Sequence, residues 1–253
     1  MIENQYAVVM AAGKGTRMKS ELPKVLYPVC GRPMIEYVLD ALEQAHIGKI
    51  IVVVGYRGDL VRKTLEHRTQ QQHLVFVEQT EQLGTGHAVM VCRNELQNHT
   101  GATIVVTGDC PMIQVESILK LFETYSQKQK LLPSCILGTA IKNNPAGLGR
   151  IIRNSNGEFA GIVEEKDANN EQKLIKEVNM SYYVFHTQDL LEALNHLKTD
   201  NVQKEYYITD VPAVMKSKGK HVIALPILKP AETLGINTID EAKIVETALQ
   251  NQL

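Results

Sequence analysis

Between Met10 and Met34 the sequence reads MAAGKGTRMKSELPKVLYPVCGRPM, with three glycines and five cations against one acid. Gly13 and Gly15 allow a tight backbone turn and bring N–H groups to an anion with no Cβ in the way. Lys14, Arg17 and Lys24 add charge-assisted donors suited to phosphate oxygens. The spacing is not that of a P-loop. Nor is it the dinucleotide fingerprint, because Met18 stands where the last glycine of G-x-G-x-x-G belongs. Two further stretches carry chemistry, TEQLGTGHA (80–88) and GDCP (108–111). Asp109 follows an apolar run, where a lone carboxylate is costly unless it is paired or bound to a cation. On its own, Asp109 reads as an N-cap for the next helix.

These residues need a scaffold, and the flanking patterns supply one. YAVVM (6–10), KIIVVVG (49–55), LVFVEQ (74–79) and ATIVVTGD (102–109) are short and apolar at consecutive positions. Such runs suit strands buried on both faces, as in a parallel sheet. Between them, Met34, Tyr37, Val38, Ala41, Leu42 and Ala45 share a helical face, with Gly48 as a stop. DLVRKTLEHR and GTGHAVMVCRNEL read as crossover helices, and VESILKLFETYSQ as another. The alternation implies a doubly wound α/β sheet, whose ligands bind beyond the carboxyl ends of the strands. The glycine–cation stretch, TEQLGTGHA and GDCP follow the first, third and fourth strands, where such a site belongs. From about Leu132 the reading is mixed, with antiparallel strands, a turn at Asn156-Gly157, and helices around 188–197 and 205–217. TIDEAKIVETALQ closes the chain as a helix with a Thr238/Glu241 capping box.

The 253 residues carry 44% hydrophobic and 22% charged side chains with a net charge of −1, so no global field favours nucleic acid or an anionic membrane. No apolar run approaches the ~20 residues of a membrane span, and Met1 to Asn4 do not open a signal peptide. The four cysteines lack CxxC spacing and read as reduced thiols of a cytoplasmic protein. The histidines show neither HxH nor HExxH spacing, so a zinc site is not expected.

AAGKGTRM followed by LPKVL resembles the signature of the sugar-nucleotide pyrophosphorylases, which join a nucleoside triphosphate to a sugar 1-phosphate. EQLGTGHA (81–88), GDCP (108–111), GLGRIIR (147–153), GIVEEKDA (161–168), EVN (177–179), EYYITD (205–210) and GIN (235–237) extend the resemblance along the chain. In that order they are similar to the uridylyltransferase half of the bacterial bifunctional enzyme that makes UDP-N-acetylglucosamine. The resemblance implies a Rossmann-like (GT-A type) nucleotidyltransferase fold, with a mostly parallel mixed sheet and helices on both faces. It implies one domain over 1–253, with a nucleotide-binding half (1–130) and a sugar-binding half (131–253). UTP and N-acetylglucosamine 1-phosphate are the implied small-molecule substrates, with neither nucleic acid nor membrane as partner.

The resemblance also implies roles. Lys14 and Arg17 would hold the β- and γ-phosphates, and Lys24 the α-phosphate and sugar phosphate, Arg17 and Lys24 being the catalytic pair. Ala11, Ala12, Gly13, Lys14, Gly15, Lys24, Gln79, Gly84, Thr85, Gly108 and Asp109 would bind nucleotide. Gly149, Glu164 and Asn179 would grip the sugar, and Asp109 with Asn237 would hold Mg²⁺. A glutamine amide can flip, so the Gly84-Thr85 backbone must choose the base rather than Gln79. Asn237 alone reads as a turn residue before the Thr238 cap, and Cys110 as a packing residue. The chain departs from the usual pattern at Thr107, Leu148 and Met180-Ser181; the last two places lie near the expected sugar pocket and leave the same chemistry on glucose or N-acetylgalactosamine 1-phosphate open. A catalytically silent nucleotide-sugar sensor is a further alternative. No hexapeptide repeats follow the last helix, so acetyl transfer and trimerisation by that route are not expected; a homo-oligomer formed otherwise stays open.

Overall fold

The computed structural model describes residues 4–69, 73–127 and 132–251. The chain opens with strand β1 (Tyr6–Met10), a loop with two 3-10 turns, and a small hairpin of β2 (Pro28–Val29) and β3 (Arg32–Pro33). Helix α1 (Met34–Gln44), β4 (Lys49–Val54), α2 (Gly58–Thr64), α3 (Glu66–Thr69) and β5 (Leu74–Glu78) follow. Next come α4 (Thr85–Met90), α5 (Arg93–Leu96), β6 (Ala102–Thr107) and α6 (Val115–Ser126). The second half runs β7 (Cys135–Ile141), β8 (Gly149–Arg153), β9 (Phe159–Val163), α7 (Asn170–Lys173) and β10 (Glu177–His186). It ends with α8 (Thr187–Leu194), α9 (Val211–Ser217), β11 (Val222–Leu225) and α10 (Ile239–Gln250).

The main sheet runs β11-β7-β10-β6-β1-β4-β5, with β8 on β10 and β9 on β8. β6, β1, β4 and β5 are mutually parallel, whereas β10 is antiparallel to both β6 and β7. Alternate residues of one strand feed opposite faces. Ala7 and Val9 pack with α1 and α6 residues such as Leu39 and Phe122, while Val8 and Met10 pack with Val89, Leu190 and Leu194. Two apolar layers explain the continuous runs in β1, β4 and β6. β5 is different. It is an edge strand, and Val75, Phe76 and Val77 are only half-buried, so the doubly buried reading of LVFVEQ is corrected.

Other boundaries also move. α1 ends at Gln44, before Gly48, because His46 takes a left-handed conformation (φ 57°) and Gly48 N–H is engaged by the Gln5 carbonyl. GTGHAVMVCRNEL divides into α4 and α5. The helix read at 205–217 begins as a 3-10 turn at Ile208–Asp210 and becomes α-helical at Val211; Glu205 to Tyr207 are not helical and lie along the loop before α4. Among the described residues no helix is long and apolar enough to cross a membrane.

α10 closes over the N-terminal loop. Its Thr238/Glu241 capping box forms as the sequence predicts. Ala242 and Val245 join Ile236 in a buried cluster with Met18, Val29, Met34 and Met112. The Cys30 N–H donates to Glu246 across 2.9 Å, which fastens the same two segments. Ile236 is fully buried in this cluster. Ile236→Ala should therefore cost about 2–5 kcal/mol, the range for truncating a core isoleucine, measured by urea unfolding.

Candidate active site

Sheet hydrogen bonding continues past the end of β1. Ala11 N–H donates to the Val53 carbonyl at 2.9 Å, and the Ala12 carbonyl accepts from Tyr56 N–H at 3.0 Å. From there the chain leaves the sheet through Gly13. An added Cβ at Gly13 would meet no protein atom within 4 Å, so glycine there leaves space on the cavity side rather than making a turn. Gly15 makes the turn. Its φ is +67°, and a Cβ would lie 2.5 Å from Lys24 Cβ. The 3-10 turn Thr16–Met18 then buries Met18 as an anchor and leaves Arg17 at the cavity.

The Lys24 ammonium donates both to the Asp109 carboxylate and to Asn237 Oδ1, the latter at 2.8 Å. Arg17 Nη2 donates to the same Asn237 oxygen at 2.8 Å. Asp109 lies two residues beyond β6, at the carboxyl end of the parallel strands. It is not an N-cap, since Gln114 precedes α6. Desolvation pushes the Asp109 carboxyl up, but the Lys24 ammonium together with hydrogen bonds from Thr107 and the backbone makes the net shift downward. Ile236 N–H donates to the Asp109 carbonyl at 3.3 Å, so the backbone beside Asn237 is tied to the backbone of Asp109. Burial and the Asp109 charge push the Cys110 thiol up to about 12, in keeping with a packing role. Lys14 lies over the Tyr56 ring, 5.2 Å from its centroid.

Gln79 and the loop before α4 form the other end of the cavity. Gln79 is 3% exposed, and its Nε2 donates to the Gly84 carbonyl at 3.0 Å. Gly84 has φ +109°, and a Cβ there would lie 2.5 Å from the Tyr206 carbonyl oxygen. Only glycine satisfies both demands. The 206–208 segment pairs with this loop. Tyr206 N–H donates to Leu83, Gly86 N–H to Tyr206, and Ile208 N–H to Thr85 Oγ1 at 3.0 Å.

The cavity holds about 450 Å³ and is lined by Ala11, Ala12, Gly13, Lys14, Gly15, Arg17, Lys24, Gln79, Gly84, Thr85 and Asp109. Gly108 does not line it; its position packs against Val25, Ile35 and Ala11. Gly149, Glu164 and Asn179 also lie outside that lining but meet one another. Gly149 pairs with Asn179 across β8 and β10, and Glu164 Oε1 lies 3.6 Å from a Cβ built on Gly149. Burial raises the Glu164 carboxyl above its ordinary value, with Thr209 offsetting part and Asp210 and Asp167 adding to it. Residues 205–210 thus run from the Gly84 loop to Glu164. Glu205, Gln82, Thr16 and Val25 line the cavity without having been assigned from sequence. The signal was present in EYYITD, but nothing local to that motif reveals what it touches.

The family of MobA-like NTP transferase domains matches residues 7–207. The chain belongs to this family. It is a nucleotidyltransferase, and its mixed α/β sheet is the family's Rossmann-like fold. Bifunctional protein GlmU of Lactococcus lactis subsp. lactis is 46% identical over 234 residues, 92% of this chain and 49% of that protein. Bifunctional protein GlmU of Bacillus licheniformis is 41% identical over 236 residues, 93% of this chain and 50% of that protein. The NTP transferase chain therefore spans about half the length of the curated relatives it matches. A UDP-glucose pyrophosphorylase complexed with UDP-glucose superposes with a TM-score of 0.74 at 19% identity, covering 100% of both chains. That likeness is one of fold.

Two glycines of the NTP transferase site should respond oppositely to a methyl group. Gly84→Ala should lose about 1–3 kcal/mol of stability, because it combines a left-handed φ with a backbone clash. Gly13→Ala should stay within about 1 kcal/mol of wild type yet weaken nucleoside triphosphate binding. Urea unfolding and titration calorimetry on both variants check the pair.

Proposed function

We propose that this NTP transferase transfers the uridylyl group of UTP to N-acetyl-α-D-glucosamine 1-phosphate, releasing pyrophosphate and giving UDP-N-acetylglucosamine. The observation that carries the reading is the meeting of Arg17, Lys24, Asp109 and Asn237 beside a glycine-lined cavity. Two polyanions must approach each other in this reaction, so positioning and charge neutralisation supply most of the catalysis. An oxygen of the sugar phosphate attacks the α-phosphorus, and the bond to the pyrophosphate oxygen breaks. Lys14 and Arg17 hold the leaving phosphates, and Lys24 follows the charge at the α-phosphate. Gln79 and the Gly84-Thr85 backbone receive the uracil.

Asp109 and Asn237 suit Mg²⁺. Their oxygens converge on one ammonium in this structure, so they form an all-oxygen pair around a cation-sized position. Among the described residues no three of His, Cys, Asp and Glu cluster as a metal cage. A two-ligand site leaves the other positions to water and phosphate oxygens, as Mg²⁺ prefers. Bound there, Mg²⁺ would neutralise phosphate charge as a Lewis acid.

The sugar assignment draws support from Asn179. Its Oδ1 accepts from Ser181 N–H at 3.2 Å, which leaves Nδ2 as the amide's donor, suited to an acetamido carbonyl. Glu164 beside it suits sugar hydroxyls. The similarity to GlmU proteins at 41–46% identity supports the same reading.

Pyrophosphate release from UTP with Mg²⁺ and a panel of sugar 1-phosphates tests the reading. The N-acetyl sugar should lead glucose 1-phosphate by at least ~10-fold in kcat/KM, roughly one good hydrogen bond. Equal rates would transfer the assignment to another hexose, and no release with any sugar would leave a sensor. A second prediction concerns the resident ammonium. Lys24→Met should lower kcat by about 10²–10³, as for loss of one preorganised donor. The same variant should bind Mn²⁺ more tightly than wild type without nucleotide, because no ammonium must be displaced; electron paramagnetic resonance reads this directly.

A further inference from the structure

Gln79 and Gln82 both bring a side-chain amide to this end of the cavity; Gln82 Nε2 donates to the Gln79 backbone carbonyl at 3.1 Å, and Gln79 is the buried one of the two. An unconstrained amide cannot tell a donor from an acceptor. In this structure Gln79 is constrained from two sides. Nε2 lies 3.0 Å from the Gly84 carbonyl oxygen and 3.1 Å from His87 Nδ1. A carbonyl oxygen only accepts, so the NH₂ end of the amide must face Gly84. Its second N–H then meets His87 Nδ1, which must present a lone pair and leave the imidazole proton on Nε2. Reversing the amide would set Oε1 against the Gly84 oxygen and force His87 into its other tautomer.

We propose that His87 is a positioning residue for base selection: with the Gly84 carbonyl it locks the Gln79 amide so that Oε1 faces the ligand as a fixed acceptor, favouring uracil over cytosine. The proposal rests on the uridylyltransferase reading and deepens it. Uracil carries a donor at N3, which a fixed acceptor satisfies. Cytosine carries a lone pair at N3, which the same acceptor repels. A buried polar group left without its partner is what makes such discrimination strong.

The supports of the lock are themselves rigid. His87 stands in the first turn of α4, between Gly86 and the buried Ala88 and Val89. The Gly84 carbonyl belongs to the loop that residues 206–208 clamp by three hydrogen bonds. His87 does not line the cavity, so it acts through Gln79 rather than on the base. The sequence alone leaves base choice to the Gly84-Thr85 backbone; the geometry gives Gln79 a share in it by removing its freedom to flip.

The test compares kcat/KM for UTP and CTP in the whole chain carrying His87→Leu or His87→Asn. The asparagine Oδ1 stands close to the place of Nδ1 and accepts from Gln79, whereas leucine offers nothing. His87→Leu should reduce the UTP-to-CTP ratio by about 10-fold, chiefly through a gain for CTP, and His87→Asn should keep it within about threefold of wild type. A ratio unchanged in His87→Leu, with UTP and CTP falling together, would show that His87 only supports the fold and would overturn the proposal. So would an equal loss of ratio in the asparagine variant. Independently of any variant, nitrogen NMR of the wild-type protein should show the His87 proton on Nε2; a proton on Nδ1 overturns the lock. Wild-type turnover with neither pyrimidine triphosphate would instead overturn the uridylyltransferase reading, a failure distinct from a change confined to the ratio.

Discussion

One ammonium organises the site. Lys24 Nζ is shared between the Asp109 carboxylate and the Asn237 amide oxygen, and Arg17 adds a second cation to that oxygen. Lys24 is only 13% exposed and Asp109 26%, so neither charge is well solvated and each depends on the other. The partners come from the loop after β1, the end of β6 and the start of α10. Everything that brings those three places together therefore serves the pair. The parallel register of β1 and β6 sets Met10 opposite Thr107, which delivers Lys24 and Asp109 to one edge of the sheet. The Ile236 cluster and the α10 cap deliver Asn237.

The same logic joins the two ends of the site. β10 enters the sheet between β6 and β7, antiparallel to both. Its pairing shifts between Asn179 and Tyr182, and Ser181 within the irregularity has φ 59°. A bulge re-aims the side chain beside it. Here Asn179 comes to face Gly149 and Glu164. The 205–210 segment then spans from the Gly84 loop to Glu164.

Much of this was legible in the residues. The continuous apolar runs gave β1, β4 and β6 within a residue or two of their ends, because burial on both faces leaves no polar position to blur the pattern. LVFVEQ misled because an edge strand can be as apolar as a central one, and its place in the sheet is not a local property. The 205–217 helix was overextended for a similar reason. Glu205 to Tyr207 are bound to the Gly84 loop, and that competitor is more than 100 residues away in sequence.

The sequence by itself determined the fold class, the strand ends at which a ligand could sit, and the residue types there. Glycine spacing, the cations and the lone acid of GDCP are local signals with local causes. Tertiary structure alone decided which of them touch. Only the sheet register and the closure of α10 put Lys24 between Asp109 and Asn237, and only the fixed Gly84 carbonyl and His87 ring decide which way the Gln79 amide points. A hydrogen bond is made by direction as well as by type, and direction belongs to the assembled backbone.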